Sequence, residues 1–195
     1  MNTELFPVDH DDLAALHARL TRAADREGLL DLVYRTLDTP IGTLLLAATD
    51  RGLVRVAFER EGFDAVLDAL AAKISPRILD DTARLEDTAR QLDEYFAGAR
   101  RTFDLQIDYR LSSGFRQVVQ RYLSHIGYGH TATYKQVAET VGKPRAVRAV
   151  GSACATNPLP VIVPCHRVLR TDGGLGGYLG GLEVKATLLD LEHAA

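Results

Sequence analysis

Apolar and polar positions along this chain change their period twice. From Tyr34 to Phe58 the pattern is β-like. Gly42 punctuates a first strand, Leu44-Leu45-Leu46-Ala47-Ala48 makes a second, Asp50-Arg51-Gly52 turns, and Leu53-Val54-Arg55-Val56-Ala57-Phe58 makes a third. Helical patterns follow at about 62–74 and 84–98, and a further strand is predicted from Phe103 to Ile107. After a connector at 108–112 the period becomes helical again. Phe115, Val118, Val119, Tyr122 and Leu123 mark the packing stripe of a helix that runs to Ile126. Thr131 to Gly151 reads as two helices with a tight joint: Ala138 permits close approach, Gly142 ends the first helix, and Pro144 suits the start of the second. Leu182 to Glu192 closes the chain as a short amphipathic helix with a late carboxylate. At the other end, Leu13, Leu16 and Leu20 fall at helical spacing and predict an amphipathic helix that caps the body or meets a partner. The expected organisation is α+β, with a helical extension at 1–30, an α/β domain at 31–108 and a mostly helical domain at 109–195.

At 195 residues the chain can bury a sizeable core. No segment has the apolar length of a membrane span, and the start Met1-Asn2-Thr3-Glu4 lacks the basic region of a secretory signal. A soluble protein without a membrane partner is expected. The two cysteines, Cys154 and Cys165, are too few for a typical structural zinc site, so no metal is expected. A bridge between them would consume a candidate nucleophile; a reducing, cytoplasmic compartment fits better.

Net charge is -3, which argues against a nucleic-acid partner until its distribution is read. Residues 101–170 hold ten Lys and Arg against three Asp and Glu, while residues 1–100 hold twelve against nineteen. The basic excess coincides with the helix pair. A solvated basic face is the plain alternative; the coincidence favours a surface that contacts phosphates.

The candidate chemistry lies in Val163-Pro164-Cys165-His166-Arg167-Val168, which sets a thiol beside an imidazole after the apolar run Leu159 to Val163. A cysteine in such a place is most often an inert core thiol. Its surroundings favour more. The stretch Gly173-Gly174-Leu175-Gly176-Gly177-Tyr178-Leu179-Gly180-Gly181 gives the backbone the freedom to approach a flat ligand. A neutral thiol is a poor nucleophile, so Cys165 needs a base and an environment that favours thiolate. Adjacency alone does not make His166 that base. Read alone, Glu192 is an exposed carboxylate, Arg148 a phosphate contact and Tyr134 a core aromatic.

Taken together, Tyr134, Arg148-Ala149-Val150-Gly151, Asn157-Pro158, Pro164-Cys165-His166-Arg167-Val168, Gly177-Tyr178, Gly180-Gly181, Lys185 and Glu192 closely resemble the O6-alkylguanine-DNA alkyltransferases. The resemblance covers about residues 110–192, and 34–107 fit the family's more weakly specified N-terminal domain. It implies a three-stranded ribonuclease-H-like α/β domain followed by an all-α, winged-helix-like helix-turn-helix domain. It also implies DNA repair by irreversible transfer of an alkyl group from guanine O6, and less readily thymine O4, to Cys165. No cofactor is implied, and the partner is double-stranded DNA with alkylated bases, met by a monomer. In this reading His166 acts on Cys165 through a water and Glu192 orients the imidazole, as in other nucleophile-base-orienter triads. The lesion must be flipped out of the stack, with Arg148 filling the gap and Tyr134 pressing on the backbone. Ala146, Ala149, Gly151 and Ser152 let the second helix of the pair sit in a minor groove. Asn157 is a hinge between the halves of the site. Tyr178 lines the guanine pocket, with the carbonyls of Cys165 and Val168 receiving the exocyclic amine, while Arg167 and Lys185 are candidates for ion pairs between domains. Arg116, Gln120, Gly127, Cys154 and Leu179 depart from the family's usual residues, the last two in ways that bear on substrate range. A helix-turn-helix regulator or damage-flagging module, with Cys165 only structural, is the competing class. A Cys-His hydrolase would need an oxyanion site that nothing in the sequence marks.

Overall fold

The computed structural model describes residues 10–193. Its first element, α1 (His10–Arg26), leads to three antiparallel strands, β1 (Leu32–Leu37), β2 (Leu44–Thr49) and β3 (Gly52–Phe58). Helix α2 (Phe63–Lys73) then crosses to β4 (Ile78–Asp80), which pairs parallel with β1, giving a sheet of order β3-β2-β1-β4. Helix α3 (Glu86–Phe96) completes this half. The sheet thus has four strands where three were expected. The fourth is short and half-buried, and its Ile-Leu-Asp carries no alternation long enough to read.

Strand β2 is buried on both sides because the sheet is covered on both faces. Leu44 and Leu46 point with Val33, Val56 and Phe58 into a large core shared with the rest of the chain. Leu45 and Ala47 join Leu32, Val54 and Ala57 against Val66 and Leu70 of α2. The period of two sorts neighbouring side chains to opposite faces, so a continuous apolar run means two cores.

The predicted strand at Phe103 to Ile107 does not form. Only a single bridge joins Leu53 to Ile107. The side chain of Gln91 on α3 claims the backbone of residue 104 instead, accepting from Asp104 N at 2.8 Å and donating to Asp104 O at 3.0 Å. Phe103 meanwhile packs on the Tyr95 ring. Buried side chains thereby replace the ladder.

The second half starts with α4 (Gly114–Leu123), then β5 (Ala132–Thr133), α5 (Tyr134–Thr140), α6 (Val147–Ala155), β6 (Val168–Leu169) and α7 (Leu182–His193). Strands β5 and β6 pair parallel, a small addition to a helical unit. Helix α5 begins on a capping box in which the Thr133 hydroxyl accepts from Gln136 N while the Gln136 side chain accepts from Thr133 N. Gly142, at φ 74°, ends the helix-turn as predicted. Pro144 lies three residues before α6 rather than at its first turn. On α4, Val119 and Leu123 are buried, but Val118 is 51% exposed and does not belong to the packing stripe. Gln120 is buried and satisfied: Ser112 donates to its Oε1, and its Nε2 donates to Ala153 O at 3.0 Å, tying α4 to α6.

Helix α1 exists as expected but presents its leucines outward. Leu13, Leu16 and Leu20 are about half exposed, while Thr21 and Ala24 are buried and the His17 ring donates to Asp80 O at 2.7 Å. The docking face is thus small and polar. Residues 1–9 of the expected 1–30 extension lie outside the described residues. Among the described residues no helix is long and apolar enough to cross a membrane.

One backbone contact locks the start of β3. Gly52 has φ 126°, and a Cβ there would sit 2.3 Å from Gln106 O. Gly52→Ala should therefore lower stability by about 2 kcal/mol or more, through both backbone strain and overlap. A denaturant midpoint within error of the parent's would contradict the contact.

Candidate functional site

The site is built on a chain segment that regular structure cannot hold. Asn157-Pro158-Leu159-Pro160-Val161-Ile162-Val163-Pro164 runs from the end of α6 to Cys165 and is buried throughout. Three prolines fix its φ angles and remove donors that a buried loop would have to satisfy. Val161 takes φ 72°, a conformation that a β-branched residue adopts only under constraint. Asn157 supplies much of that constraint. Its Oδ1 accepts from Leu159 N at 3.1 Å, as an Asx turn, and its Nδ2 donates to Val163 O at 2.8 Å and to Cys165 Sγ at 3.2 Å. The residue predicted as a hinge thus holds the sulfur directly.

Cys165 opens a single 3-10 turn, Cys165–Arg167, and is 3% exposed. Burial pushes its thiol up to about 11, against partial relief from the Asn157 hydrogen bond and the Lys185 charge. The sulfur therefore rests as a thiol. His166, fully buried beside it, turns Nε2 toward Glu192 Oε1 at 2.9 Å. Burial alone would raise the Glu192 carboxyl, but hydrogen bonds from His166 and Arg167 outweigh it and hold the group at about 2. Glu192 is then a carboxylate that can only accept, which puts the imidazole proton on Nε2 and leaves Nδ1 as a lone pair. Nδ1 is buried and has no hydrogen-bond partner among the protein groups. Desolvation also lowers the His166 pKa, so the ring is neutral and basic at Nδ1.

Sequence reasoning missed how densely Glu192 is held. Arg167 reaches it with Nη2 on Oε1 at 2.8 Å and Nε on Oε2 at 2.9 Å, and also donates to Ile126 O. Gly129 N donates to Oε2 at 3.3 Å, and the hydroxyl of Tyr95, from the first half of the chain, donates to Oε1 at 2.7 Å. Arg167 does form an ion pair, but within the second half of the chain, whereas Lys185 forms none that spans the two halves. Fully buried, Lys185 donates Nζ to Val168 O at 2.6 Å and to Leu175 O, pinning the glycine-rich loop to the strand after the cysteine. Nothing in the spacing of Tyr95 marks it apart from any other apolar position of α3.

The other predicted residues fall into two groups. Arg148, Ala149 and Ser152 are exposed on the outer side of α6, with Ala146 and Gly151 partly so, while Val150, Ala153 and Cys154 face inward. Small outer residues flanking one arginine form a helix surface that can approach another molecule closely. Val168 is buried, while Tyr134, Tyr178 and Leu179 are part-buried. Tyr134 starts α5 and lies against the glycine-rich loop, where a Cβ on Gly176 would be 2.7 Å from its hydroxyl. Tyr178 stands edge-on to the rings of His166 and Phe58, at 6.4 and 5.8 Å between centroids. The residue borders an open cleft with Arg60, Arg170, Gly177 and Gly181, while its hydroxyl is buried with no hydrogen-bond partner among the described residues. Leu179 points to a separate groove with Arg55, Arg116 and Asn157. Cys154 is buried, and burial pushes its thiol well above the ordinary value; it is the less reactive of the two sulfurs.

Comparison with known proteins places this geometry. The family model described as the 6-O-methylguanine DNA methyltransferase ribonuclease-like domain matches residues 32–109, and the DNA-binding domain of the same family matches 114–194. A methylated-DNA–protein-cysteine methyltransferase of Methanosarcina barkeri is 38% identical over 162 residues, 83% of this chain and 98% of the relative. Its namesake in Mycolicibacterium paratuberculosis is 41% identical over 160 residues, 82% of this chain and 92% of that one. A crystal structure of the Mycobacterium tuberculosis O6-methylguanine methyltransferase superposes with TM-score 0.74 at 37% identity, covering 84% of this chain and 93% of that one. The M. tuberculosis protein in complex with DNA matches at the same TM-score and identity, over 83% of this chain. These two domain matches and the relatives covered over most of their length make the chain a member of the methylated-DNA–protein-cysteine methyltransferase family.

Proposed function

We propose that this protein repairs DNA by transferring an alkyl group from O6 of guanine in a duplex to Cys165, once per molecule. The observation that carries the reading is the hydrogen-bond chain itself: a carboxylate fixes the imidazole proton on Nε2 and leaves a buried basic Nδ1 on the residue next to a thiol held at Sγ by Asn157. In the reaction the Cys165 proton passes to His166 Nδ1, through an intervening water. Sγ attacks the alkyl carbon as the C–O6 bond breaks, the bonding electrons leave on the guanine, and Glu192 stabilises the imidazolium. The sulfur is the acceptor, so neither a metal nor an organic cofactor takes part.

Arg148 and the small residues Ala146, Ala149, Gly151 and Ser152 form the DNA-facing side of α6, supported by their exposure and by the local basic excess. Arg148 fills the stack when the lesion leaves it. Tyr134, Val168 and Tyr178 receive the flipped base, whereas Leu179 faces the separate groove. The Val168 carbonyl already accepts from Lys185, so its second lone pair is what remains for the guanine amine. Residues 31–108 and 109–195 act as scaffold and alkyl-acceptor domains. Every member of the network comes from one copy, so one copy is enough for the reaction. Two free thiols fit a reducing cytoplasm.

A thioether has neither an acidic proton nor a good leaving group, so the product does not regenerate. Mixing excess duplex containing O6-methylguanine with protein should give one repaired guanine per active molecule and then a plateau, with the added mass on the Cys165 peptide. Steady turnover would overturn the proposal in favour of a hydrolase. Cys165→Ser should bind the duplex yet transfer at background rate, and Cys154→Ser should stay near the parent.

Flipping costs roughly a few kcal/mol, and only the duplex reaction bears it. Arg148→Ala should slow repair in duplex by about tenfold or more while leaving reaction with free O6-benzylguanine within about twofold. Equal losses on both substrates would assign Arg148 to the fold or the pocket.

A further inference from the structure

Helix α3 belongs to the half of the chain that carries no nucleophile, yet it reaches the reacting groups at one point. Tyr95 is fully buried among Phe96, Phe103 and Tyr128, with ring centroids 5.4, 5.2 and 6.0 Å away. Its hydroxyl donates to Glu192 Oε1 at 2.7 Å. That is the oxygen on which His166 Nε2 rests. We propose that Tyr95 is a positioning residue for alkyl transfer, whose hydroxyl fixes Glu192 Oε1 against His166 and sets how strongly that oxygen supports the imidazolium.

A buried tyrosine usually finds some partner for its hydroxyl, and a backbone carbonyl would serve. Here the partner is the one carboxylate oxygen that already takes His166 Nε2 and Arg167 Nη2. Donors from three residues share one oxygen. Each withdraws charge from it, so each weakens the carboxylate's hold on a protonated imidazole while restricting where the carboxylate can move. The groups facing Glu192 are His166 and Arg167 from the turn after Pro164, Tyr95 from α3, and Gly129 N from the loop after α4, with the Tyr128 ring against Arg167. His166 additionally feels Lys185 of α7 and the Tyr178 ring. Tyr95 is the member of this set that the first half of the chain supplies, so docking of the two halves completes the base. The carboxylate in turn pushes the Tyr95 hydroxyl further above its ordinary value than burial alone does, which keeps it a donor at every working pH.

Removing the hydroxyl has a signed consequence. Tyr95→Phe keeps the ring packing and leaves Oε1 with one donor fewer and more charge. His166 then holds a proton more tightly. Because protonated His166 cannot accept from Cys165, the pH below which transfer fails should rise. This rests on His166 being the base, and the experiment separates the two claims. Single-turnover rates with free O6-benzylguanine are measured against pH for the full-length parent, Tyr95→Phe and His166→Gln. The free base avoids the pH dependence of DNA binding. The expected result is an acid-limb midpoint raised by about half a pH unit in Tyr95→Phe, with His166→Gln slower by about 100-fold or more at the plateau. If His166→Gln transfers at the parental rate, the base assignment falls and the role of Tyr95 falls with it. If His166→Gln is crippled but Tyr95→Phe leaves the midpoint unmoved or lower, Tyr95 is a packing residue only, whatever its effect on plateau rate or melting.

Discussion

A carboxylate that is 4% exposed must be surrounded by donors, since leaving an ion buried without partners costs at least several kcal/mol. Glu192, on α7, meets that constraint with donors from three other places in the chain: Tyr95 on α3, Gly129 in the loop after α4, and His166 and Arg167 in the turn after Pro164. Much else follows from satisfying it. The two halves of the chain must dock for Tyr95 to arrive. Arg167 must lie across the carboxylate, which orients the turn that begins with Cys165. The imidazole must give its proton to the Glu192 side, which leaves the other nitrogen basic.

The same burial shapes the nucleophile. With burial pushing the thiol up to about 11, the resting sulfur stays protonated at neutral pH. A protein whose cysteine can be used once benefits from a sulfur that does not react with whatever small electrophile diffuses past. Reactivity then depends on the base next to it and on a substrate held in place. Asn157 fits this arrangement: by donating to both Val163 O and Sγ it fixes the attack direction while partly offsetting the desolvation of a developing thiolate.

Strong local patterns made the scaffold legible. Apolar runs punctuated by Gly42 and the Asp50-Arg51-Gly52 turn marked the antiparallel strands, and Gly142 marked the end of α5. The Pro164-Cys165-His166-Arg167 stretch pointed to the buried thiol and the imidazole that meets Glu192. What escaped was decided by long-range contacts. Strand β4 exists because three residues find β1 after a helical crossover. The expected strand at 103–107 is lost to the side chain of Gln91, thirteen residues earlier than the backbone it binds. The leucines of α1 suggested a buried stripe, yet the helix docks through Thr21, Ala24 and His17. Tyr95 is separated from Glu192 by 97 positions, and no local periodicity encodes that meeting.

The central claim is that Glu192 holds the His166 proton on Nε2 and leaves Nδ1 free to take the proton of Cys165. Nitrogen NMR of the labelled His166 ring in the resting protein near neutral pH tests it without any substrate. With Glu192 as a carboxylate at 2.9 Å, the ring should be neutral, with the hydrogen on Nε2 and a bare Nδ1. A ring protonated on Nδ1, or one already doubly protonated at neutral pH, would contradict it.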